Sequence, residues 1–207
     1  MTLTTLADLP LQSPIPPESR TANSKPDPAV ALADFTGVGL LHLRGPEAGF
    51  AAAFGTLPEV VGQVLPRRDG LAARLTHDEW MLIEADRSVA SYPAKTDMRV
   101  TVTDVTHGYG VLLVGGARAR EVLTKVCALD FSEHAFPDLY AAQTSFANVP
   151  ALIVRRDLAE HAAYLIAVGR SLAEYVWDRL LDAAGEFDPV RVDPSAWTES
   201  MIRGEQT

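Results

Sequence analysis

An α+β fold, with mixed or antiparallel sheets and helices covering one face of each, is what this 207-residue sequence predicts. Three observations carry it. Short strand-like runs alternate with amphipathic helical runs, the pattern of a layered α+β domain. A strand, a Gly-led turn and a helix recur with a shift of 71 residues, pairing Gly45 with Gly116 and Ala48 with Ala119. A second pair, MLIEADRSVA (81–90) and YLIAVGRSLA (164–173), recurs in the same order at a shift of 83. Together the two pairs predict an internal duplication.

Taken in order, residues 1–33 read as an extended arm. Six of the fourteen prolines lie in the first 28 residues, at Pro10, Pro14, Pro16, Pro17, Pro26 and Pro28. Proline fixes φ and removes a donor, so no helix or central strand is expected there. Leu9, Leu11 and Ile15 give the arm something to lay on a surface, its own or another chain's. The α+β domain then covers 34–187, as two related halves of about 34–97 and 98–187. Residues 188–207 form a tail anchored by Trp197 and Met201.

Within the first half, Val38 to Leu43 reads as a strand. Pro46 opens a short helix, where its missing N–H is tolerated. Ala72 to Thr76 and Trp80 to Glu84 flank a turn at His77-Asp78. In the second half, Met98 to Val105 alternates, with Met98, Val100 and Val102 on one face. Gly110 to Val114 is a buried strand. Ala119, Val122, Leu123 and Val126 follow helical spacing. Thr144 to Val149, Ala151 to Arg155 and Tyr164 to Val168 are strand-like. Leu172 to Ala184 is a helix with Leu172, Tyr175, Val176 and Leu180 on its buried face. Ser171 and Glu174 have the spacing of a capping box.

Composition narrows the function. Acidic residues outnumber basic ones 27 to 18, a net charge of −9, and only three lysines occur. Polyanion binding depends on clustered Lys and Arg, so neither nucleic acid nor an anionic membrane surface is an expected partner. The single cysteine, Cys127, rules out an internal disulfide. No apolar run reaches the length of a membrane span. The first residues lack the basic and apolar regions of a secretory signal, so a cytoplasmic location is expected.

The motifs that carry chemistry are missing. Gly108, Gly110, Gly115 and Gly116 do not compose G-x-G-x-x-G between strand and helix, and read as turn glycines. The five histidines show no close metal-ligand spacing. Asp104 and His107 read as a strand-end hydrogen-bonding pair, and Cys127 as a small buried hydrophobe. No catalytic, cofactor-binding or metal-ligating residue is assigned. The candidate interface residues are Arg155, Arg156, Trp177 and Trp197, since Arg and Trp are enriched in interfaces.

The run VTDVTHGYGVLLVGGARAREVLTKVCALDFSEHAF, then AAQTSFANVPALIVRR, then YLIAVGRSLAEYVWDRLLDAA, resembles the gamma subunits of heterotetrameric sarcosine oxidases from about Met98 to Ala184. That family shares the fold of the aminomethyltransferase T-protein, a folate-binding fold. Folate-using members carry a G-G-I-x-D-D-like segment. The comparable stretch here is Ala147-Asn148-Val149-Pro150-Ala151-Leu152, without the acidic pair. The resemblance implies a non-catalytic accessory subunit, held by alpha, beta and delta subunits in a complex that oxidatively demethylates sarcosine to glycine. FAD, FMN, NAD and tetrahydrofolate are then expected in the partner subunits and none in this chain. Two alternatives stay open. One is a standalone folate-dependent one-carbon transfer protein. The other is a gamma-like subunit of another N-methyl amino acid oxidase or dehydrogenase.

Overall fold

The computed structural model describes residues 12–17, 28–68, 70–84, 100–158 and 161–194. Two sheets pack face to face. One is six-stranded and mixed, with strands in the order β11-β1-β7-β10-β9-β8. It comprises β1 (Ala31–Asp34), β7 (Tyr109–Gly115), β8 (Tyr140–Phe146), β9 (Val149–Arg155), β10 (Ala163–Gly169) and β11 (Val190–Arg191). The other is five-stranded and antiparallel, in the order β3-β4-β5-β2-β6. It comprises β2 (Gly39–Arg44), β3 (Val64–Arg67), β4 (Gly70–Arg74), β5 (Glu79–Glu84) and β6 (Thr101–Asp104). Among the described residues, three α-helices cover the outer faces: α1 (Ala51–Phe54) on the second sheet, and α2 (Ala119–Val126) and α3 (Ala173–Ala184) on the first.

The duplication is visible in this topology. β2, α1, β3, β4 and β5 follow one another as β7, α2, β8, β9 and β10 do, and the strand orders match, β3-β4-β5-β2 against β8-β9-β10-β7. The strand that leads into each half is exchanged. β1 precedes β2 but pairs with β7, while β6 precedes β7 but pairs with β2. Gly45 and Gly116, matched by the sequence repeat, both sit at positive φ, 138° and 110°, where a side chain would be strained. The second repeat is one residue out of phase. Leu82 pairs with Leu41 and faces α1, whereas Leu165 faces the other sheet; the residue pairing Leu112 and facing the helices is Ile166. The structural shift there is 84 (166 against 82), because a one-residue slip would turn every side chain to the wrong face.

Three apolar layers follow from strand alternation. Leu40, Leu71, Ile83, Leu113 and Leu165 meet between the sheets. Leu112, Val114, Ile153 and Ile166 meet Val122, Leu123, Val176, Trp177 and Leu180 of the helices. Trp80 packs edge-on to Phe50 under α1, with ring centroids 5.7 Å apart. Each such large apolar side chain, once buried, contributes about 1.5–3 kcal/mol.

Several sequence expectations shift. Residues 31–33, the end of the Pro-rich arm, form part of β1, and Ile15 sits in the helix-side core of this same chain. The apolar Leu9 and Leu11 lie outside the described residues, as do Met98, Arg99, Trp197 and Met201. The strand expected at Thr144 to Val149 is interrupted. Ala147 and Asn148, at φ 47° and 66°, make the two-residue turn of a β8–β9 hairpin. Positive φ at both central positions is the type I′ signature, which suits the twist of the flanking strands. Val149 and Pro150 therefore belong to β9 and not to a turn. Pro150 is tolerated because it opposes Ser145 at a non-hydrogen-bonded site. Ser171 lies in a 3-10 turn, Arg170–Leu172, and neither it nor Glu174 makes a capping box; no side chain caps this turn or α3. Leu172 and Tyr175 are surface-exposed, leaving Val176, Trp177 and Leu180 as the buried stripe.

Candidate functional site

The space between the sheets is closed in the middle by leucines and opens at one end into a cleft of about 250 Å3. Strand alternation supplies its walls. His42 lies two residues from Leu40 on β2, and Glu79 two from Met81 on β5, so both polar side chains project from the inner face. Opposite them stand Gln143, Pro150, Leu152 and Ala167. A second hollow, about 270 Å3, shares Leu75, Gln143 and Leu152 with the first and continues to Val61 and Tyr140. The two together form a seam along the open edge of β8.

Glu79 is the carboxylate lining the cleft among the described residues. It lies 3.4 Å from Arg44 Nε and 3.9 Å from His42 Nε2, so its charge is already matched. Among the described residues no serine or cysteine lines the cleft for His42 to activate. Among the described residues no three His, Cys, Asp or Glu side chains gather as metal ligands. The β9 wall is Pro150-Ala151-Leu152, which offers neither a hydrogen-bonding side chain nor a charge. Tetrahydrofolate presents a pterin edge of N–H donors, and the acidic segment that would accept them in folate-using proteins of this fold is replaced by that wall. That wall supplies no side-chain acceptor for such an edge.

The sequence-selected residues lie elsewhere. Arg155 is 1% exposed and is a core residue, not a surface one. Its guanidinium donates to Asp157 Oδ1 (2.7 Å) and Oδ2 (2.6 Å), to Glu133 Oε2 (2.8 Å) and to the Phe136 carbonyl (2.5 Å). Burial works against its charge, but the bonds to Asp157 and Glu133 hold its pKa above that of a free guanidinium. Arg120 joins through Glu133 and the Tyr164 hydroxyl. Arg156 pairs with Asp138 at 3.3 Å, partly buried. Trp177 is fully buried under α3. Arg155 and Trp177 thus hold this chain together and present nothing to a partner, while Trp197 lies outside the described residues. Asp104 accepts the Thr106 amide at 2.9 Å. Cys127 is buried, its Sγ 3.5 Å from the Ser145 carbonyl oxygen.

Sequence reasoning missed His42, Glu79 and Gln143. Their signal was present: each is a polar residue on a strand face whose neighbours two residues away are apolar, Leu40, Met81 and Ala141.

The chain belongs to the GCVT N-terminal domain family, whose model matches residues 51–196. Within that fold it is a homologue of the sarcosine oxidase gamma subunit. It is 32% identical over 163 residues to sarcosine oxidase subunit gamma of Corynebacterium sp. (strain P-1), covering 76% of this chain and 79% of the relative. It is 31% identical over 166 residues to the Arthrobacter sp. subunit gamma, with the same coverage of each chain, 76% and 79%. A chain of the heterotetrameric sarcosine oxidase from Corynebacterium sp. U-96, solved with pyrrole 2-carboxylate, matches at TM-score 0.68 and 28% identity, over 85% of this chain and 92% of that one. Aminomethyltransferase T of the Bartonella henselae glycine cleavage system shares the fold at TM-score 0.63 and 19% identity, over 85% of this chain but 50% of that one.

Proposed function

We propose that this chain is a non-catalytic accessory subunit of a cytoplasmic sarcosine-oxidase-type complex that oxidatively demethylates sarcosine to glycine. In this reading, alpha, beta and delta subunits hold the NAD, FAD, FMN and tetrahydrofolate chemistry. The observation that carries it is size-matched similarity. The chain covers 92% of a chain in a solved heterotetramer, but only half of the glycine cleavage system aminomethyltransferase T. An apolar β9 wall, and a cleft in which no serine or cysteine is found among the described residues, support the same reading.

The test is reconstitution. Co-expressed with the flavoprotein subunits of its own host, the chain co-purifies with them, and sarcosine-dependent oxygen consumption is lost or short-lived when it is omitted. A panel of N-methyl amino acids identifies the substrate. The fold shared with aminomethyltransferase T motivates the rival reading, a standalone folate-dependent transfer protein. Calorimetric titration of the isolated chain with tetrahydrofolate separates the two, and micromolar binding would overturn the accessory role.

A further inference from the structure

Among the described residues, the outer edge of β8 is closed at both ends and open in the middle. At one end residues 62–64 clip onto it: the Val64 amide donates to the Leu139 carbonyl, the Ala141 amide donates to the Gly62 carbonyl, and Gln63 bridges Tyr140. At the other, Cys127 bridges Phe146 and the Ala147 amide donates to the Val126 carbonyl. The hairpin register fixes what lies between. Phe146 and Val149 close a two-residue turn and form a hydrogen-bonded pair, so Thr144 and Ala142 also point their backbone groups at β9. Ser145, Gln143 and Ala141 point theirs outward, as the Ala141 bond to Gly62 confirms. The Gln143 N–H and C=O and the Ser145 N–H are therefore aimed away from the sheet, on residues that are exposed. That is a gap of roughly 10 Å, three residues of strand.

Beside this gap stands a rigid apolar knuckle. Val60 and Val61 are 64% and 51% exposed, the most exposed large apolar side chains among the described residues. Their loop is not loose. Arg74 donates to the Pro58 carbonyl (3.1 Å) and the Glu59 carbonyl (2.8 Å), and Trp80 Nε1 also donates to Pro58 (3.1 Å). The Gln63 side-chain oxygen accepts the Glu59 and Val60 amides. A loop held this firmly has already lost the entropy that docking would otherwise cost. Val61 also lines the 270 Å3 hollow that opens alongside Gln143.

We propose that this gap takes an extended segment of a partner subunit, which adds to β8 as a short edge strand. Its backbone pairs with Gln143 and Ser145. An apolar side chain opposite Gln143 shares that residue's face and enters the hollow beside Val61, Leu75 and Leu152. The two closed ends select the occupant: they leave room for about three residues of extended backbone and exclude a long strand or a helix. The inference rests on the accessory-subunit reading and adds to it a place and a binding mode.

The test uses the full chain, alone and in the reconstituted complex. Residue-resolved hydrogen exchange should show the Gln143 and Ser145 amides fast in the isolated chain and slowed at least tenfold in the complex. Gln143→Pro removes the outward donor without touching the β8–β9 ladder, so the variant should fold, with wild-type circular dichroism, and lose at least tenfold in complex yield. Slow exchange in the isolated monomer would mean that the chain covers its own edge, and slow exchange with a dimeric mass that a second copy does; either result overturns the proposal. If the wild-type complex forms but the two amides stay fast, the edge proposal alone fails. If no complex forms with the wild-type chain, the accessory-subunit reading fails first.

Discussion

Thr36 and Thr106 hold equivalent places in the two halves, and each reaches across to the other half. The Thr36 hydroxyl accepts the Val111 amide at 3.2 Å, and the Thr106 hydroxyl accepts the Leu40 amide at 2.9 Å. The surroundings repeat as well. The Thr36 amide donates to Asp34 Oδ1 and the Thr106 amide to Asp104 Oδ1, both at 2.9 Å. Phe35 N donates to the Val111 carbonyl, as Val105 N does to the Leu40 carbonyl. The D-x-T pairs are thus the crossing points at which β1 and β6 pass into each other's sheet.

Removing one hydroxyl should leave a buried amide without a partner. Thr106→Val strands the Leu40 N–H in a fully buried setting and is expected to cost about 1–3 kcal/mol. Thr36→Val, at a partly buried bond, is expected to cost less. Urea unfolding midpoints at constant m-value measure both; a Thr106→Val midpoint equal to wild type contradicts the assignment.

The Arg155 cluster predicts an acid-sensitive term. The Arg155 guanidinium, with help from Arg120, holds the Glu133 carboxyl below the usual carboxylate range, and the Ser132 amide does the same for Asp130. A carboxylate with a depressed folded pKa contributes stability above its unfolded value, about 4.3 for Glu, and loses it as pH falls through the folded value. Stability should therefore be level near neutral pH and decline below about pH 4–5. Arg155→Met should flatten that decline and raise the Glu133 pKa as followed by NMR. It should also lower neutral stability by about 2 kcal/mol, less than for a fully buried pair because Glu133 keeps access to water.

At Gly110, β7 lies close against the start of α3. A Cβ there would stand 2.3 Å from the Ala173 Cβ. Gly110→Ala should destabilise by about 1–3 kcal/mol through overpacking. Adding Ala173→Gly should return part of that loss, less the helix-propensity cost of about 1 kcal/mol. A double-mutant cycle of melting curves reads the coupling, and simple additivity would argue against this contact.

Ala147 occupies the first position of the β8–β9 turn at φ 47° without being glycine. The left-handed conformation costs an L-residue about 1–2 kcal/mol, and glycine adds about 0.5–1 kcal/mol of unfolded-state entropy. Ala147→Gly should therefore be neutral to stabilising by up to about 1 kcal/mol. The Tyr175 hydroxyl bond to the Ala147 carbonyl, 3.1 Å, should persist. A lowered melting temperature would show that the methyl group's burial outweighs the relief of strain.

Most strands and the main helices could be read from periodicity, because one face of each is buried and the alternation records it. Leu41, Leu43 and Leu82 announce a face; so do Val122, Leu123 and Leu180. What could not be read was pairing. Nothing local says that Ala31–Asp34 lies beside β7 and not β2, since that choice is made by contacts some 80 residues apart. The hairpin at Ala147-Asn148 was obscured because alanine is a poor advertisement for positive φ, and Pro150 is a more conspicuous turn residue. Arg155 looked like a surface group because arginine usually is one; its burial depends on Asp157 and the Glu133–Phe136 loop converging on it from two segments. The cleft was legible in part, as polar residues on apolar faces, but its width depends on where the two sheets separate.

The exchange of β1 and β6 also sets a schedule for biosynthesis. Leu32 and its neighbours leave the ribosome early, yet their antiparallel partner β7 begins only at Tyr109. At about 5–20 residues per second, an apolar strand waits several seconds with no neighbour to pair with. The five-stranded sheet is likewise short of an edge until Thr101–Asp104 emerges. The nascent chain cannot complete either sheet from its first half, so it is at its most aggregation-prone midway through translation, when a ribosome-bound chaperone has the most to shield.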